Sequence, residues 1–475
     1  MRILIFHGYL LRGTGSNIYN ANLVRTLARL GHEVHLLCQD RDYEPPEVSG
    51  SGSVTVHLPD IGRVLPVYVA DEYEGFDAKP FEQLTDAELE HYIEANIEAV
   101  RAVPTPDLAL ANHLVMGPVI LARAFEGNVP YAVKIHGSAL EYTVRPHPER
   151  FLPYALEGIR GASGVLVGSH HTGESLFEVL EDERSLRERT RLGPPGVDVH
   201  EFRRREPNLE RIAARPAAGW GGEQGTAEVL RTVDLSRDRI VSFVGKLIVS
   251  KGVDLLFAAW PLVVDRVPDA RLLVIGFGTY REALEGFVDA LRRADVEALN
   301  EIAARGRELE GGPAGELKYL RAFLDTVDDG WLRAAPAAAE RIHFTGRLEH
   351  EDLPDLLPAV EAQVMPSTFP ESFGMVAAEA AACGALPLSA NHSGMAEVTA
   401  TLAPALPPEL RPLMSFDVGP DAVREIAEKL VTWLMLDPGE RERARDALAA
   451  DAARQYSWES VAEGVIEAAS GPSSG

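Results

Sequence analysis

The chain has 475 residues, 46% hydrophobic and 25% charged, with 46 basic against 72 acidic side chains and a formal charge of −26. At roughly 150 residues per domain this reads as two or three domains with ample material for packed cores. The acid excess sets aside nucleic acid as the main partner and leaves at most peripheral contact with an anionic membrane. Two cysteines, Cys38 and Cys383, are too few for a disulfide framework and suit a reducing, cytoplasmic setting.

The first apolar run, residues 2–6, is too short to span a membrane and lacks a signal-peptide cleavage pattern, so it reads as a buried strand of a soluble intracellular protein. A loop through Gly13, Thr14, Gly15 and Ser16 follows, then a helix over 18–30 stopped by Gly31. Further apolar runs at 33–38, 108–111, 131–135 and 164–167 alternate with amphipathic stretches. That rhythm predicts a doubly wound α/β domain, a parallel sheet covered on both faces, ending near residue 200. Residues 203–238 have no apolar period and read as linker and surface elaboration. Strands restart at 239–244, 271–275, 341–344, 362–365 and 385–388, predicting a second domain of the same kind. The stretch 287–338 interrupts it, and its mixture of Ala, Arg and Glu reads as a charged, solvated helical elaboration. A last helix over 458–469 carries an apolar stripe of Val461, Val465 and Ile466, and the tail from Ser470 reads as disordered.

In open α/β sheets ligands bind beyond the carboxyl ends of the strands, which turns the strands into a list of loops. They are 8–17, His136-Gly137-Ser138, Gly245-Lys246, Gly276-Phe277-Gly278, Arg347, Pro366-Ser367 and 391–394, rich in Gly, Ser, His and basic residues. Two such domains would line one cleft from both sides. The densest motif runs from Phe369 to Gly384, where Glu371 lies in a Pro-containing loop and Glu379 about one turn into an Ala-rich helix. Gly374 would let a phosphate approach the free N–H groups of Gly374, Met375 and Val376. Glu379 could accept from ribose hydroxyls and Glu371 from those of a sugar. A solvated loop carboxylate and a surface helix charge are the plainer readings, but the apolar neighbours over 375–383 favour a buried Glu379.

Only six lysines stand against forty arginines, and Lys246 and Lys251 fall together after a strand. Compact ammonium groups there suit a diphosphate, although two exposed lysines on a turn would look the same. His136 closes the strand at 131–135 and is equally compatible with a structural role. The Gly13–Ser16 loop lacks the lysine of a P-loop. The Gly276-Phe277-Gly278 turn lacks the third glycine of a dinucleotide fingerprint and reads as a tight turn. No His, Cys, Asp or Glu group has metal-ligand spacing, and Asp328 and Asp329 read as surface residues.

Together these motifs resemble family 4 of the GT-B glycosyltransferases over roughly 1–200 and 235–470. The resemblance rests on Leu30-Gly31-His32-Glu33-Val34, Ile135-His136-Gly137, Pro195-Gly196-Val197-Asp198, the Lys246 and Lys251 segment, the Ile275–Gly278 turn, the Glu371-x7-Glu379 element and Ser393-Gly394-Met395-Ala396-Glu397-Val398, in family order. It implies an α/β GT-B architecture of two Rossmann-like, doubly wound parallel-sheet domains facing a central cleft. Residues 1–200 would hold the acceptor, with a helix near 455–470 crossing back, and 201–454 the nucleotide sugar, with the 287–338 insert. The implied activity is retaining transfer of a hexosyl group from a UDP- or GDP-linked sugar to an acceptor hydroxyl on a saccharide, small metabolite or lipid-linked molecule, without cofactor or metal. Implied catalytic residues are His136, Glu371, Lys246 and Lys251. Implied donor ligands are Gly245, Lys246, Lys251, Gly276, Arg347, Glu371, Ser372, Phe373, Gly374, Met375, Val376 and Glu379. Gly13, Thr14, Gly15 and Ser16 would form an acceptor or phosphate loop.

Three features depart from the family pattern: Gly13-Thr14-Gly15 for the paired glycines, Lys246 where an arginine is common, and the insert. A sugar-nucleotide epimerase of the same architecture and a non-catalytic nucleotide-sugar-binding subunit would use the same residues, whereas a dehydrogenase fits them least.

Overall fold

A computed structural model describes residues 1–11, 15–45, 50–68, 76–180, 185–214, 225–371 and 373–471. Gly13, Thr14 and Ser372, the Gly-Trp-Gly-Gly stretch at 219–222 and the tail beyond Gly471 lie outside the described residues. The chain divides into two compact units, Met1–Gly196 with Tyr456–Gly475, and Val197–Gln455.

Among the described residues fifteen strands are numbered in chain order. In the first unit β1 (Arg2–Phe6), β2 (Glu33–Leu37), β3 (Ser53–His57), β6 (Leu108–Asn112), β7 (Tyr131–Ile135), β8 (Gly164–Val167) and β9 (Thr190–Leu192) form one parallel sheet, ordered β3-β2-β1-β6-β7-β8-β9. A separate parallel pair joins β4 (Val64–Val67) to β5 (Asp77–Pro80). Alternate β1 residues supply opposite faces of the main sheet: Leu4 and Phe6 enter one core, Ile3 and Ile5 the other. That two-sided burial is why β1 and β6 read as apolar runs rather than alternating ones, and why β7 is buried throughout although it carries Lys134.

The C-terminal helix Trp458–Ser470 belongs to this unit, with Ser457 accepting from the Ser460 N–H at 3.3 Å to cap its start. Its buried line runs through Trp458, Ala462, Val465 and Ala469, while Val461 and Ile466 are only partly buried. The stripe is therefore rotated from the one expected. Trp458, Val465 and the small alanines are buried, and the β-branched Val461 and Ile466 flank them.

In the second unit β10 (Arg239–Val244), β11 (Ala270–Ile275), β12 (Ile342–Gly346), β13 (Val360–Met365), β14 (Leu386–Ala390) and β15 (Ser415–Phe416) form a parallel sheet ordered β12-β11-β10-β13-β14-β15. Both units are doubly wound α/β layers, as the alternation implied. The strand order reverses between β1 and β6 in one and between β10 and β13 in the other, and such switch points open a crevice at the carboxyl ends of the strands.

Two expectations are corrected. Residues 203–238 are more than linker, because the helices Leu209–Ala214 and Gly225–Arg231 bury Leu209, Ile212 and Leu230. The insert is not a solvated elaboration. Its helices Arg281–Arg292, Val296–Arg305, Lys318–Leu324 and Asp329–Ala339 bury Phe287, Leu291, Leu299, Leu320, Phe323 and Trp331. Phe287 meets Phe257 edge-on at 5.9 Å, and the Trp331 Nε1–H donates to the Ala258 carbonyl at 2.9 Å, both on the helix Val253–Arg266. The charges that suggested solvation occupy only the outer faces, as in the Arg292–Glu340 pair. Trp331→Ala should therefore destabilise the protein by about 3–5 kcal/mol. Scanning calorimetry should show this as a Tm lower by on the order of 10 °C, whereas a Tm within about a degree of the parent would mean the insert is peripheral.

Candidate functional site

In the second unit, β10 ends at Gly245 and Lys246, and a short turn, Val249–Lys251, leads into the helix Val253–Arg266. Lys246 is exposed, whereas Lys251 is half-buried and its Nζ donates to Glu371 Oε1. Glu371 arrives from the loop after β13, across the switch point. Its Oε1 also accepts from Ser367 Oγ at 2.8 Å, and its backbone N–H donates to Ser393 Oγ at 2.9 Å. His392 Nε2 donates to the Ser367 carbonyl at 2.9 Å, leaving Nδ1 to accept from the Ser393 hydroxyl at 3.1 Å. Ser393 holds a left-handed backbone, φ 54°, uncommon for a residue with a side chain. The loop after β14 thus braces the loop carrying Glu371.

Gly252 lets the two loops cross. Its φ is +63°, and a β-carbon there would fall inside the Pro366 carbonyl oxygen, while the Thr368 N–H donates to the Ser250 carbonyl at 2.8 Å. The Gly276-Phe277-Gly278 turn packs against the Lys246 loop in the same manner, with the Leu247 N–H donating to the Phe277 carbonyl at 2.8 Å. Arg347, following β12, forks onto Glu349 at 3.1 and 3.3 Å and lies 5.2 Å above the half-exposed Phe277 ring.

Gly374 precedes the helix Met375–Ala382, and among the described residues no side chain caps its first turn. Gln363 on β13 anchors that turn. Its Nε2 donates to the Val376 carbonyl at 2.7 Å, and its Oε1 accepts from Ser242 Oγ at 3.2 Å. Glu379 is 2% exposed, and its Oε1 lies 2.7 Å from His350 Nε2. Burial lowers the His350 pKa, but the charge and hydrogen bond of Glu379 override it and raise the value above that of an ordinary histidine. The insert reaches this region as well. Glu310 Oε2 accepts from the Val249 N–H at 2.7 Å, and Val249, Asp254, Leu255, Tyr319, Leu320 and Thr368 border a cavity of about 270 Å³.

The first unit's switch point is uncharged in character. Asn112 Oδ1 accepts from His136 Nε2 at 2.7 Å and from Asn20 Nδ2 at 3.1 Å. Asn20 also donates to His7 Nδ1 at 3.0 Å, and His7 Nε2 donates to Asn17 Oδ1 at 2.9 Å. Both imidazoles therefore carry their proton on Nε2. Burial pushes His7 down to about 4 and, with His113, Lys134 and His7 as neighbours, holds His136 well below the ordinary range, so both rings are neutral. The His113 ring stands 4.8 Å from His136 and the Tyr19 ring 5.1 Å. Gly15 and Ser16 open the helix Gly15–Arg29 in this unit, and the Ser16 carbonyl accepts from Asn20 at 2.9 Å.

Lys251, Glu371, Gly374, Met375, Val376 and Glu379 thus lie on elements flanking one switch point, with Gly245, Lys246 and Gly276 on the adjoining loops. His136 belongs to the other unit. The sequence reasoning named the 391–394 loop without giving His392 a role, and it missed His350, Gln363, Asn112 and Asn20. A recurring His-Gly pair after a strand, at His7-Gly8 and His136-Gly137, was a signal that could have drawn attention to the first unit's network. Among the described residues no cluster of three or more His, Cys, Asp or Glu could hold a metal, and no helix is long and apolar enough to cross a membrane.

Residues 14–196 match the family described as "Glycosyl transferase 4-like domain", and residues 334–406 match "Glycosyl transferases group 1". A D-inositol 3-phosphate glycosyltransferase of Frankia alni is 25% identical over 395 residues, covering 80% of this chain and 78% of that protein. A GDP-mannose-dependent monoacylated alpha-(1-6)-phosphatidylinositol monomannoside mannosyltransferase of Corynebacterium glutamicum is 26% identical over 276 residues, so the match spans 57% of this chain and about half (53%) of that protein. Among solved structures, sucrose-phosphate synthase from Thermosynechococcus elongatus aligns with a TM-score of 0.59 at 19% identity, covering 98% of this chain and 96% of the other. Anabaena Alr3699/HepE in complex with UDP and glucose aligns with a TM-score of 0.58 at 16% identity, covering 99% of each chain. The chain has the GT-B fold and is related to several nucleotide-sugar glycosyltransferases.

Because Gly252 must be left-handed and lies against the Pro366 carbonyl, Gly252→Ala should cost at least ~1–2 kcal/mol from the backbone alone. It should also push apart the loops that bring Lys251 to Glu371. Urea denaturation reads the first effect, and an unchanged midpoint would contradict the crossing described here.

Proposed function

We propose that this protein is a retaining glycosyltransferase of family 4 that moves a hexosyl group from a UDP- or GDP-linked sugar to an acceptor hydroxyl. The observation that carries the proposal is the grouping at the second unit's switch point. A lysine, a loop carboxylate and an unblocked helix N-terminus flank it, with a buried carboxylate one turn further along the same helix. The N-terminus of a helix offers oriented N–H groups and partial positive charge to a phosphate. At Gly374 a β-carbon would meet only ordinary contacts of 3.6 Å, so packing within the protein does not demand glycine there. Close approach of a ligand would.

Lys246, Lys251 and the amides of Phe373–Val376, with Ser372, are assigned to the diphosphate and donor sugar, and Glu379 to the ribose hydroxyls. Gly245, Gly276 and Arg347 border the nucleotide. Glu371 serves the hydroxyls of the sugar, which requires the diphosphate to compete with it for Lys251. In the first unit the neutral His136 keeps a lone pair on Nδ1 for a sugar hydroxyl, and the Gly13–Ser16 loop serves the acceptor or a phosphate.

The reaction breaks the bond from the anomeric carbon to the diphosphate oxygen and forms one from that carbon to the acceptor oxygen on the same face. The acceptor proton passes to the departing phosphate oxygen, so configuration is retained and a nucleoside diphosphate leaves. The lysines and the helix N-terminus supply the positive charge that the leaving group needs. The curated relatives support the class of donor, one being named as GDP-mannose-dependent. The protein is assigned to the cytoplasm, where nucleotide sugars are made available.

A thermal-shift panel of UDP, GDP and ADP with their sugars should give one clear winner. Lys251→Ala and Glu379→Ala should each abolish that shift while the unliganded proteins remain folded. No shift with any nucleotide would overturn the proposal. So would an epimerised sugar nucleotide appearing without an acceptor, and proton NMR of a transferred product should show the donor's own anomeric configuration.

A further inference from the structure

Glu379 lies inside the protein, and a buried carboxylate needs a compensating partner or it gives up its charge. Among the described residues no lysine or arginine pairs with it; its one ion-pairing partner is His350, Nε2 to Oε1 at 2.7 Å. His350 is itself fixed from another side by the Phe202 ring, with centroids 5.0 Å apart. The His350 side chain is 31% exposed and that of Glu379 3%, so the histidine connects the buried carboxylate to solvent.

The charged groups that act most strongly on His350 are carboxylates: Glu379 on the helix Met375–Ala382, Glu351 on its own loop and Asp198 on the segment leading to Phe202. The arginines of the neighbouring elements are engaged elsewhere, Arg347 with Glu349 and Arg205 with Asp355. Against these carboxylates stands burial, the largest single influence on the imidazole, which lowers its pKa but is outweighed by them together.

We propose that His350 is the positioning residue for Glu379, holding Oε1 so that Oε2 is left to accept from the ribose, and that its proton sets the strength of nucleotide binding. The inference rests on the assignment of Glu379 to the ribose under Proposed function. Ribose hydroxyls seated on Oε2 displace water from the pair, which strengthens the attraction between the imidazolium and the carboxylate, whereas a dideoxyribose leaves that water in place. Binding therefore favours the protonated histidine, and by linkage the protonated histidine favours binding. The sign follows: the His350 pKa is raised in the folded protein, so the contribution is complete at or below the ordinary histidine range and is lost as pH rises through the raised value.

The test must separate His350 from the nucleotide's own phosphate, which also titrates near neutrality. Calorimetric titrations of UDP and GDP between about pH 5.5 and 9, in parallel with their 2′,3′-dideoxy forms, do so, because the ratio of the two affinities cancels the phosphate. The native protein should prefer the ribonucleotide over the dideoxynucleotide about tenfold less at the alkaline end than at the acid end, the signature of a proton taken up with the ribose. His350→Gln, whose amide can still donate to Glu379, should keep an intermediate preference that no longer varies with pH. His350→Ala should lose the preference; because it leaves the buried Glu379 without its partner, its Tm is read in parallel, and His350→Gln, which keeps a donor to Glu379, serves as the folded control. In turnover, both variants should raise the donor KM more than they lower kcat. A ribose preference that is the same at every pH in the native protein, or that survives intact in His350→Ala, would overturn the inference while leaving the donor site standing. Failure of every nucleotide to bind would overturn both.

Discussion

The ion pair between Lys251 and Glu371 is the point on which the second unit's switch point depends. It ties the loop after β10 to the loop after β13, which arise on opposite sides of the place where strand order reverses. The side chains are 28% and 25% exposed, so each charge retains a path to water. Such a pair keeps more attraction than the roughly 0–1 kcal/mol of a fully exposed one, yet it avoids the desolvation penalty that makes deeply buried pairs costly. It holds the loops in register and still lets an incoming anion bid for the lysine. Gly252 and the Thr368-to-Ser250 hydrogen bond supply the backbone part of the same tie.

The two units solve the same topological problem with opposite chemistry. At the β1/β6 switch point Asn112 and Asn20 exchange amide hydrogen bonds, and neutral imidazoles join them through His136 Nε2–H and His7 Nδ1. Desolvation removes the charge from His7, His113 and His136, and even Lys134 is pushed down to about 7. At the β10/β13 switch point Lys251 faces Glu371, Arg347 faces Glu349 and Glu379 faces His350, while Lys246 is exposed to water. Uncharged amides and imidazoles suit hydroxyl recognition, whereas fixed cations and helix amides suit a diphosphate. That contrast supports the proposed division between acceptor and donor ends.

How much was legible in the sequence follows from the range of each interaction. Strands buried on both faces announce themselves as apolar runs, so β1, β7, β8 and β10 coincide with their predicted spans. Glu379 was legible as buried because its helical neighbours are apolar in sequence as well as in space. His350 was not, since its partner lies 29 residues away, nor was Asn112, which meets Asn20 across 92 residues. The C-terminal stripe shared Val465 with the expected one but was rotated about it, because hydrophobicity marks Val461 and Ile466, whereas burial selects Ala462 and Ala469. The insert misled for a related reason. Its Arg and Glu residues dominate the composition, but a few aromatic side chains decide where its helices sit.

Those aromatic anchors give the insert a mechanical consequence near the site. Trp331 and Phe287 pin it to the helix Val253–Arg266, whose first turn directly follows Lys251 and Gly252. From that platform Glu310, its side chain only 10% exposed, reaches the backbone N–H of Val249, two residues before the lysine, and accepts also from Arg307 at 3.1 Å. A charge-assisted bond to a backbone N–H is among the stronger hydrogen bonds available to a turn. It constrains the three-residue turn that sets the direction of the Lys251 side chain, without using the lysine's own donors. The added negative charge is balanced locally by Arg307, so the brace fixes the turn's geometry while leaving Lys251 to interact with Glu371 or an anion. An insertion placed between β11 and β12 in sequence therefore acts, in space, on the loop after β10.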